Sequence, residues 1–207
     1  MKKILLFISL IIIISACSSL PFLNGGEKGP FIPNESNQFP FEALASSAYG
    51  GTLGQNTDDQ SPYAATGAPD VNSCIESKKA WTPREQNHGE QWIELTYWDK
   101  VYVSKIKVYE TFNPGTITKI ELKNGSDYFT MWKGSYDIKR ACPYTFETSY
   151  EYMDNLNITW SHTPFMTDTV RVTIDTDLVK GWNEIDSVEL FGYEEKWHFF
   201  NETLYIG

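Results

Sequence analysis

The feature of this 207-residue chain that most constrains its fold is an alternation of apolar and polar side chains between residues 41 and 193. In segment 169–174, for example, Val170, Val172 and Ile174 share one face. Successive side chains of a β-strand point to opposite sides of the sheet, so this period of two predicts strands with one buried face. The predicted strands cover residues 91–98, 105–109, 116–123, 128–133, 144–149, 169–174 and 187–191.

Turn-forming residues separate these segments. Asn113-Pro-Gly115 and Asn124-Gly125 predict tight turns, because proline fixes φ and glycine or asparagine accepts a positive φ. One helical turn is predicted at residues 61–67, with serine at the N-cap, proline in the first turn and glycine at the end. About eight short strands joined in this way predict an all-β fold, an antiparallel β-sandwich or jelly roll with short helical turns.

The first seventeen residues predict export. Residues 4–16 form an apolar run after a basic start, too short for a transmembrane helix of about 20 residues, and typical of a secretory signal peptide over residues 1–16. Ile14-Ser15-Ala16-Cys17 resembles the lipobox of bacterial lipoproteins, which implies that Cys17 carries the lipid. The alternative is an ordinary signal peptide with an incidental cysteine. The implied location is the cell membrane or outer membrane, facing the periplasm or the exterior, and by the same resemblance Ser18 favours the outer membrane.

Three further regions follow along the mature chain. Residues 17–40 are predicted to be a lipidated N-terminus and flexible tether, because 18–40 contains four prolines and three glycines without periodicity. Residues 41–193 contain the predicted sandwich. The aromatic-rich extension 194–207 either packs back as an extra strand or contacts a partner.

The charge of the chain restricts its partners. The formal charge is −10, and the loss of Lys2 and Lys3 with the signal peptide makes it −12. An acidic surface excludes nucleic acid as a partner and is repelled by anionic lipid. Membrane attachment must therefore be hydrophobic or covalent.

Sequence motifs for catalysis are missing. The chain contains three histidines, and no HExxH, GxSxG or CxxC motif. Among 27 acidic residues, pairs of carboxylates arise by coincidence, so they do not by themselves predict a glycosidase. We therefore expect a protein that is not an enzyme.

Five motifs carry a family resemblance. In chain order they are YAATGAPDV (63–71), AWTP (80–83), GEQWIEL (89–95), VYVSKIKVYETFNPG (101–115) and GWNEIDSVELFG (181–192). Together they resemble the scarf domain of the pappalysin metalloproteases and the C-terminal domain of an F-box leucine-rich-repeat protein. Both are similar to the discoidin, or coagulation factor 5/8 type C, group of galactose-binding-like β-sandwiches. The protease domain of the pappalysins has no counterpart here.

The resemblance implies a binding module whose loops present a ligand, and the group's ligands include sugars, lipid headgroups and proteins. A sugar site needs an aromatic face and a few polar groups. Tyr150, Tyr152, Asn155 and Trp160 have that composition, although aromatic residues near loop bases also close cores. We expect a lipid-anchored carbohydrate-binding module. The alternative is a protein-interaction or scaffold lipoprotein of the cell envelope without a small-molecule site.

The resemblance also implies a structural Ca²⁺ ion. Discoidin-like domains often hold one between an early loop and the last strand, and the matching positions are Asp70 and Glu189. Because Ca²⁺ takes 6–8 oxygen ligands, backbone carbonyls and water would complete the shell. The alternative is that Asp70 caps the turn after Pro69 and Glu189 is a solvated strand residue.

The two remaining cysteines suggest a disulfide. If Cys17 is acylated, Cys74 and Cys142 are left as an even pair in an exported protein, where disulfides persist. The alternative is two buried free thiols. A bridge requires Cα atoms closer than about 7 Å.

Overall fold

The computed structural model describes residues 33–49, 59–137, 141–195, 197–200 and 203–206, which belong to one compact unit, Ile32–Gly207. The predicted all-β antiparallel fold is confirmed. The strands are β1 (Ser36–Gln38), β2 (Glu42–Ala45), β3 (Glu90–Phe112), β4 (Ile117–Asn124), β5 (Asp127–Lys133), β6 (Tyr144–Ser149), β7 (Tyr152–Met153), β8 (Ile158–Trp160), β9 (Met166–Asp175), β10 (Glu184–Tyr193), β11 (Trp197–Phe200) and β12 (Thr203–Ile206). A 3-10 helix, Pro62–Ala65, lies at the predicted helical turn.

The long strand β3 belongs to both layers of the sandwich. Its first half pairs with β2 and β9, and the sheet continues through β4 to β5. Its second half pairs with β10 and β6, and β1 forms the edge beside β10. All these pairings are antiparallel.

The prediction of two separate strands at 91–98 and 105–109 was therefore wrong. The polar sequence around Asp99 interrupts the apolar alternation, but the backbone stays extended. Pairing with β9 is interrupted there, between Thr96 and Val101. The interruption marks the place where one strand passes from the first layer to the second.

The core lies between the two layers. Tyr97 is buried at the interruption, and its hydroxyl donates to the Val188 carbonyl of β10 at 3.0 Å. Fully buried aliphatic side chains each contribute about 1.5–3 kcal/mol by leaving water. These include Ile93, Leu95, Ile106, Val108, Ile120, Leu122, Val170, Val172, Ile174, Val188 and Leu190. They fall on the apolar positions of the sequence alternation, which is why the pattern predicted the fold.

The turn after β3 is held by a buried carboxylate. Asn113 has φ +44° and Gly115 has φ +105°, the left-handed region that asparagine and glycine tolerate best. Glu110 accepts hydrogen bonds from the backbone N–H of Gly115 at 3.0 Å and of Thr116 at 3.4 Å. Glu110 thereby secures the turn between β3 and β4.

A second, four-stranded sheet has the order β12-β11-β8-β7. Strands β11 and β12 come from the extension 194–207, which packs back through Phe199↔Thr159 and Phe200↔Ile158. At the start of the described chain, β1 lies inside the region that was predicted to be a tether, residues 17–40. Its pairing with β10 shows that the sandwich begins before residue 41.

The signal peptide and Cys17 lie outside the described residues. Within the described ranges, no helix has the length and apolar character needed to cross a membrane.

Candidate functional site

An open pocket of about 470 Å³ lies beside the second sheet. Its lining is mainly aromatic and comes from β5, from the β7–β8 hairpin and from the segments that flank this hairpin. The lining residues are Phe129, Tyr150, Tyr152, Asp154, Trp160, His162 and Pro164. The pocket therefore offers several ring faces and few charged groups to a ligand.

Asp154 shapes the hairpin that carries the pocket's indole. One carboxylate oxygen, Oδ1, accepts the backbone N–H of Leu156 at 2.8 Å and of Ile158 at 3.0 Å. The other oxygen faces Trp160, whose Nε1 donates to it at 3.5 Å. Aspartate commonly binds backbone groups a few residues ahead in tight turns. Asp154 thereby fixes the turn and orients the Trp160 ring.

His162 forms a buried wall of the pocket. It is 0% exposed, and its Nδ1 lies 2.8 Å from the Thr163 carbonyl oxygen, which can only accept, so Nδ1 carries the hydrogen. The Trp160 ring meets it edge to face at a centroid distance of 5.8 Å. His162 is thus packed into the aromatic wall, and its role is to support the neighbouring rings.

The tyrosines differ in exposure. Tyr152 is 52% exposed at the rim, whereas Tyr150 is half-buried and its ring centroid lies 6.2 Å from that of Phe129. Burial, followed by the nearby Tyr152, raises the pKa of Tyr150 above its ordinary value. Its phenol therefore stays protonated at neutral pH and can donate a hydrogen bond.

Three of the four residues predicted for ligand binding meet in this pocket. Tyr150, Tyr152 and Trp160 line it, whereas Asn155 lies at the exposed tip of the hairpin and is not part of the lining. The sequence reasoning missed Phe129, Asp154, His162 and Pro164. His162, two residues after Trp160, was a usable signal, but Phe129 comes from a strand distant in sequence.

Cys74 and Cys142 are joined by a disulfide in the structure, with their Cα atoms 5.2 Å apart. This separation lies within the range of about 4.4–6.8 Å that bridged cysteines usually have. The bridge connects the loop before Trp81 to the segment that leads into β6. It closes a sequence separation of 68 residues.

Each of the two residues predicted as calcium ligands has protein partners in the structure. The Asp70 carboxylate accepts a hydrogen bond from the Lys79 ammonium at 2.6 Å. Glu189 is buried and accepts from Asn37 at 2.6 Å and from the Tyr109 hydroxyl at 2.7 Å. Within the described ranges, no three His, Cys, Asp or Glu side chains are grouped to hold a metal. The arrangement does not fit a Ca²⁺ shell, and Ca²⁺ binding stays a prediction.

A further carboxylate, Glu184 at the start of β10, is buried against the loop 76–82. It accepts hydrogen bonds from the Ser77 backbone N–H at 3.0 Å and from the Thr82 hydroxyl at 3.3 Å. Burial raises the pKa of Glu184 to about 7, although these hydrogen bonds act in the opposite direction. Such bonds to backbone and hydroxyl groups indicate that Glu184 secures the loop.

Comparison with solved structures finds sandwiches of low sequence identity. A mutant of chitosan-binding module 1 from a Paenibacillus sp. IK-5 chitosanase/glucanase has 15% identity and a TM-score of 0.48, covering 73% of this chain and 93% of that chain. The family 32 carbohydrate-binding module of C. perfringens NanJ, solved with galactose, has 14% identity, coverages of 75% and 99%, and a TM-score of 0.47. A fucolectin from striped bass (Morone saxatilis) serum has 13% identity, coverages of 77% and 50%, and a TM-score of 0.48.

Comparison with curated protein sequences finds no match. Comparison with family models does find one. The model of the C-terminal SD scarf domain of pappalysin-1 matches residues 35–199. This span begins just before β1, ends in β11 and includes both the turn held by Glu110 and the aromatic pocket. The resemblance inferred from the five motifs is thereby confirmed, and the chain belongs to the pappalysin SD scarf-domain family.

Proposed function

We propose that this protein is a non-catalytic carbohydrate-binding module, exported and anchored to a membrane by lipid on Cys17. The single observation that carries the carbohydrate assignment is the aromatic pocket beside the second sheet. Its volume of about 470 Å³ lies within the range of roughly 300–1,000 Å³ that is typical of small-molecule sites.

The composition of the pocket suits a sugar. One face of a pyranose ring is largely C–H and packs on an aromatic side chain, whereas its hydroxyls need a few polar partners at the edge. Trp160, held in place by Asp154, supplies the ring. Tyr150 and Tyr152 supply hydroxyl groups. The acid and the histidine of the lining, Asp154 and His162, bind backbone groups of the hairpin and of Thr163, which supports a binding role.

The test is a glycan array followed by calorimetry with the best glycan. Trp160→Ala removes the stacking surface, and we expect it to weaken binding at least about tenfold, which corresponds to about 1.4 kcal/mol. Trp98→Ala is the matched control, because Trp98 is 74% exposed and stacks on Phe41 outside the pocket. Asn155→Ala should bind as the wild type does.

Two results would contradict the proposal. One is the absence of binding to any glycan by a chain that melts cooperatively. The other is a Trp160→Ala variant that keeps wild-type affinity.

A second candidate function is protein interaction in the cell envelope, and the tip of the same hairpin favours it. Met153 is 61% exposed and Leu156 is 69% exposed. Exposed apolar groups of this kind occur at protein-binding surfaces. Replacement of both by serine would abolish capture of a protein partner but leave glycan binding intact, so the two functions are distinguishable.

A further inference from the structure

The aromatic pocket combines its rings with a negative charge. Its lining contains one carboxylate, that of Asp154, and no lysine or arginine. Backbone N–H groups of the hairpin and the Trp160 indole donate to this carboxylate, which stabilises the charge but does not neutralise it. Glu151, which separates the two pocket tyrosines in the sequence, is exposed, and the whole chain has a formal charge of −10. The electrostatic field at the pocket therefore favours a cation over an anion.

Four aromatic rings with accessible surface line the cavity. Phe129 comes from β5, Tyr150 from the segment before β7, Tyr152 from β7 and Trp160 from β8. The ring centroids of Phe129 and Tyr150 are 6.2 Å apart, and Tyr152 lies directly opposite Trp160 in the β7–β8 pairing. Phe129 is 37% exposed and Tyr152 is 52% exposed, so a ligand can reach their faces. The face of such a ring attracts a cation within about 6 Å of its centroid.

The hydrogen bonds of Asp154 restrict the kind of cation. Oδ1 accepts two backbone N–H groups, from Leu156 at 2.8 Å and from Ile158 at 3.0 Å, and Oδ2 faces the Trp160 indole N–H at 3.5 Å. A primary ammonium is strongly hydrated, and its three N–H donors each need an acceptor. A quaternary ammonium has no N–H group and makes contact through methyl groups. Because the carboxylate already accepts from the hairpin, the pocket suits a quaternary ammonium better.

We propose that the aromatic pocket is a cage for a quaternary ammonium group carried by the bound glycan. The rings contact the methyl groups and attract the charge, and Asp154 supplies the opposite charge. An acidic sugar would bring its carboxylate towards Asp154 and be repelled. This inference rests on the proposed carbohydrate function, and it adds the charge of the ligand to it. The group is either a choline substituent or a fully methylated amino group of a sugar.

The test is an NMR titration of the ¹⁵N-labelled full chain, purified in a polyoxyethylene detergent, which carries neither a sugar nor an ammonium group. The Trp160 indole N–H is the reporter, because it lies in the pocket beside Asp154. We expect saturable shifts of this resonance with choline chloride. Binding of 3,3-dimethylbutan-1-ol, which has the shape of choline without its charge, should be at least about fivefold weaker. Sodium chloride at matched concentrations controls for ionic strength.

Two variants separate the charge and the rings from the fold. Asp154→Asn keeps an acceptor oxygen for the Leu156 and Ile158 N–H groups but removes the charge. Tyr152→Leu removes a ring at the exposed rim but keeps apolar surface. Each should raise the dissociation constant of choline at least about threefold and leave that of 3,3-dimethylbutan-1-ol unchanged. Glu42→Gln, which removes one negative charge at an exposed position outside the lining, should bind choline as wild type does.

The outcomes distinguish this inference from the proposed function. No saturable shift with choline, or equal affinity for choline and 3,3-dimethylbutan-1-ol, overturns the cage. If the array also shows Trp160-dependent binding of neutral glycans, the carbohydrate function stands without it. Choline binding by a chain that binds no glycan supports the cage and contradicts the carbohydrate function. N,N,N-trimethylglucosamine is the next probe, and if it binds more tightly than choline, the ammonium belongs to the sugar itself.

Discussion

Among single residues, Glu184 gives the clearest prediction of how the stability of the fold depends on pH. Burial raises its pKa to about 7, whereas an unfolded glutamate titrates near 4.3. Between about pH 4.3 and pH 7 the folded state therefore binds more protons than the unfolded state, and the free energy of unfolding falls as pH rises. We expect thermal melts to give a lower Tm at pH 8 than at pH 5, with Glu184 contributing about 2 kcal/mol of the loss.

Glu184→Gln isolates this contribution. Glutamine keeps an oxygen for the Ser77 N–H but does not ionise, so the variant should have a flatter Tm profile from pH 5 to pH 8. Glu42→Gln is the control, because it makes the same charge change at an exposed position. If the Glu184→Gln profile is as steep as that of wild type, burial of this carboxylate is not what makes stability depend on pH.

Sequence reasoning grouped residues that share a pocket where these residues are neighbours in the chain. Tyr150, Tyr152 and Trp160 lie within one short stretch of the chain, 150–160, so a shared pocket could be inferred from their order and residue types. Phe129 is brought to the same pocket by β5, and strand pairing across the sheet cannot be read from local alternation. Glu189 was predicted to be a calcium ligand, and the hydrogen bond that it accepts from the Tyr109 hydroxyl was not foreseen, because it depends on the β10–β3 register.

At the scale of elements, the disulfide between Cys74 and Cys142 fastens a long loop to β6. Cross-linking a separation of 68 residues stabilises the fold by roughly 4 kcal/mol on the chain-entropy model. We expect the free energy of unfolding of the double variant Cys74→Ala, Cys142→Ala to be lower than that of wild type by about this amount. Chemical denaturation with and without reductant measures it.

The double variant supplies its own control. Reductant should shift the midpoint of wild type to that of the variant and leave the variant unchanged. Coincident curves for oxidised wild type and variant would show that the bridge does not stabilise the fold.

Element positions followed from the alternation because each strand has one buried face. Strand β6 was predicted with its observed ends, 144–149. The alternation did not predict that β3 runs unbroken from residue 90 to 112, since the exposed Trp98 and the polar residues after it resemble a loop. It also missed β1, whose three residues pair at a sheet edge and are mostly exposed, so they carry no apolar pattern.

For the whole molecule, family and fold were both predictable, because the motif order and the alternation extend over most of the chain. The two cavities were not, because each is walled by segments that are far apart in sequence. The aromatic pocket joins β5 to the β7–β8 hairpin. A smaller cavity of about 230 Å³ joins the end of β3 and the starts of β6 and β10 to the loop 69–72. Which distant segments meet around a cavity is decided by the strand topology, and local sequence patterns do not specify that topology.

Attachment to the membrane is also a property of the whole molecule, and it is predicted from Cys17, outside the described residues. The acidic chain has no electrostatic attraction to anionic lipid, so only buried hydrocarbon can hold it there, at roughly 0.8 kcal/mol for each CH₂. In bacteria grown with labelled palmitate, wild type should be labelled, stay with membranes in high salt and be released by detergent. Cys17→Ser should lose the label, whereas Cys142→Ser, which removes a different cysteine, should keep it. A Cys17→Ser protein that is still labelled and still sediments with membranes contradicts the assignment of Cys17 as the anchor.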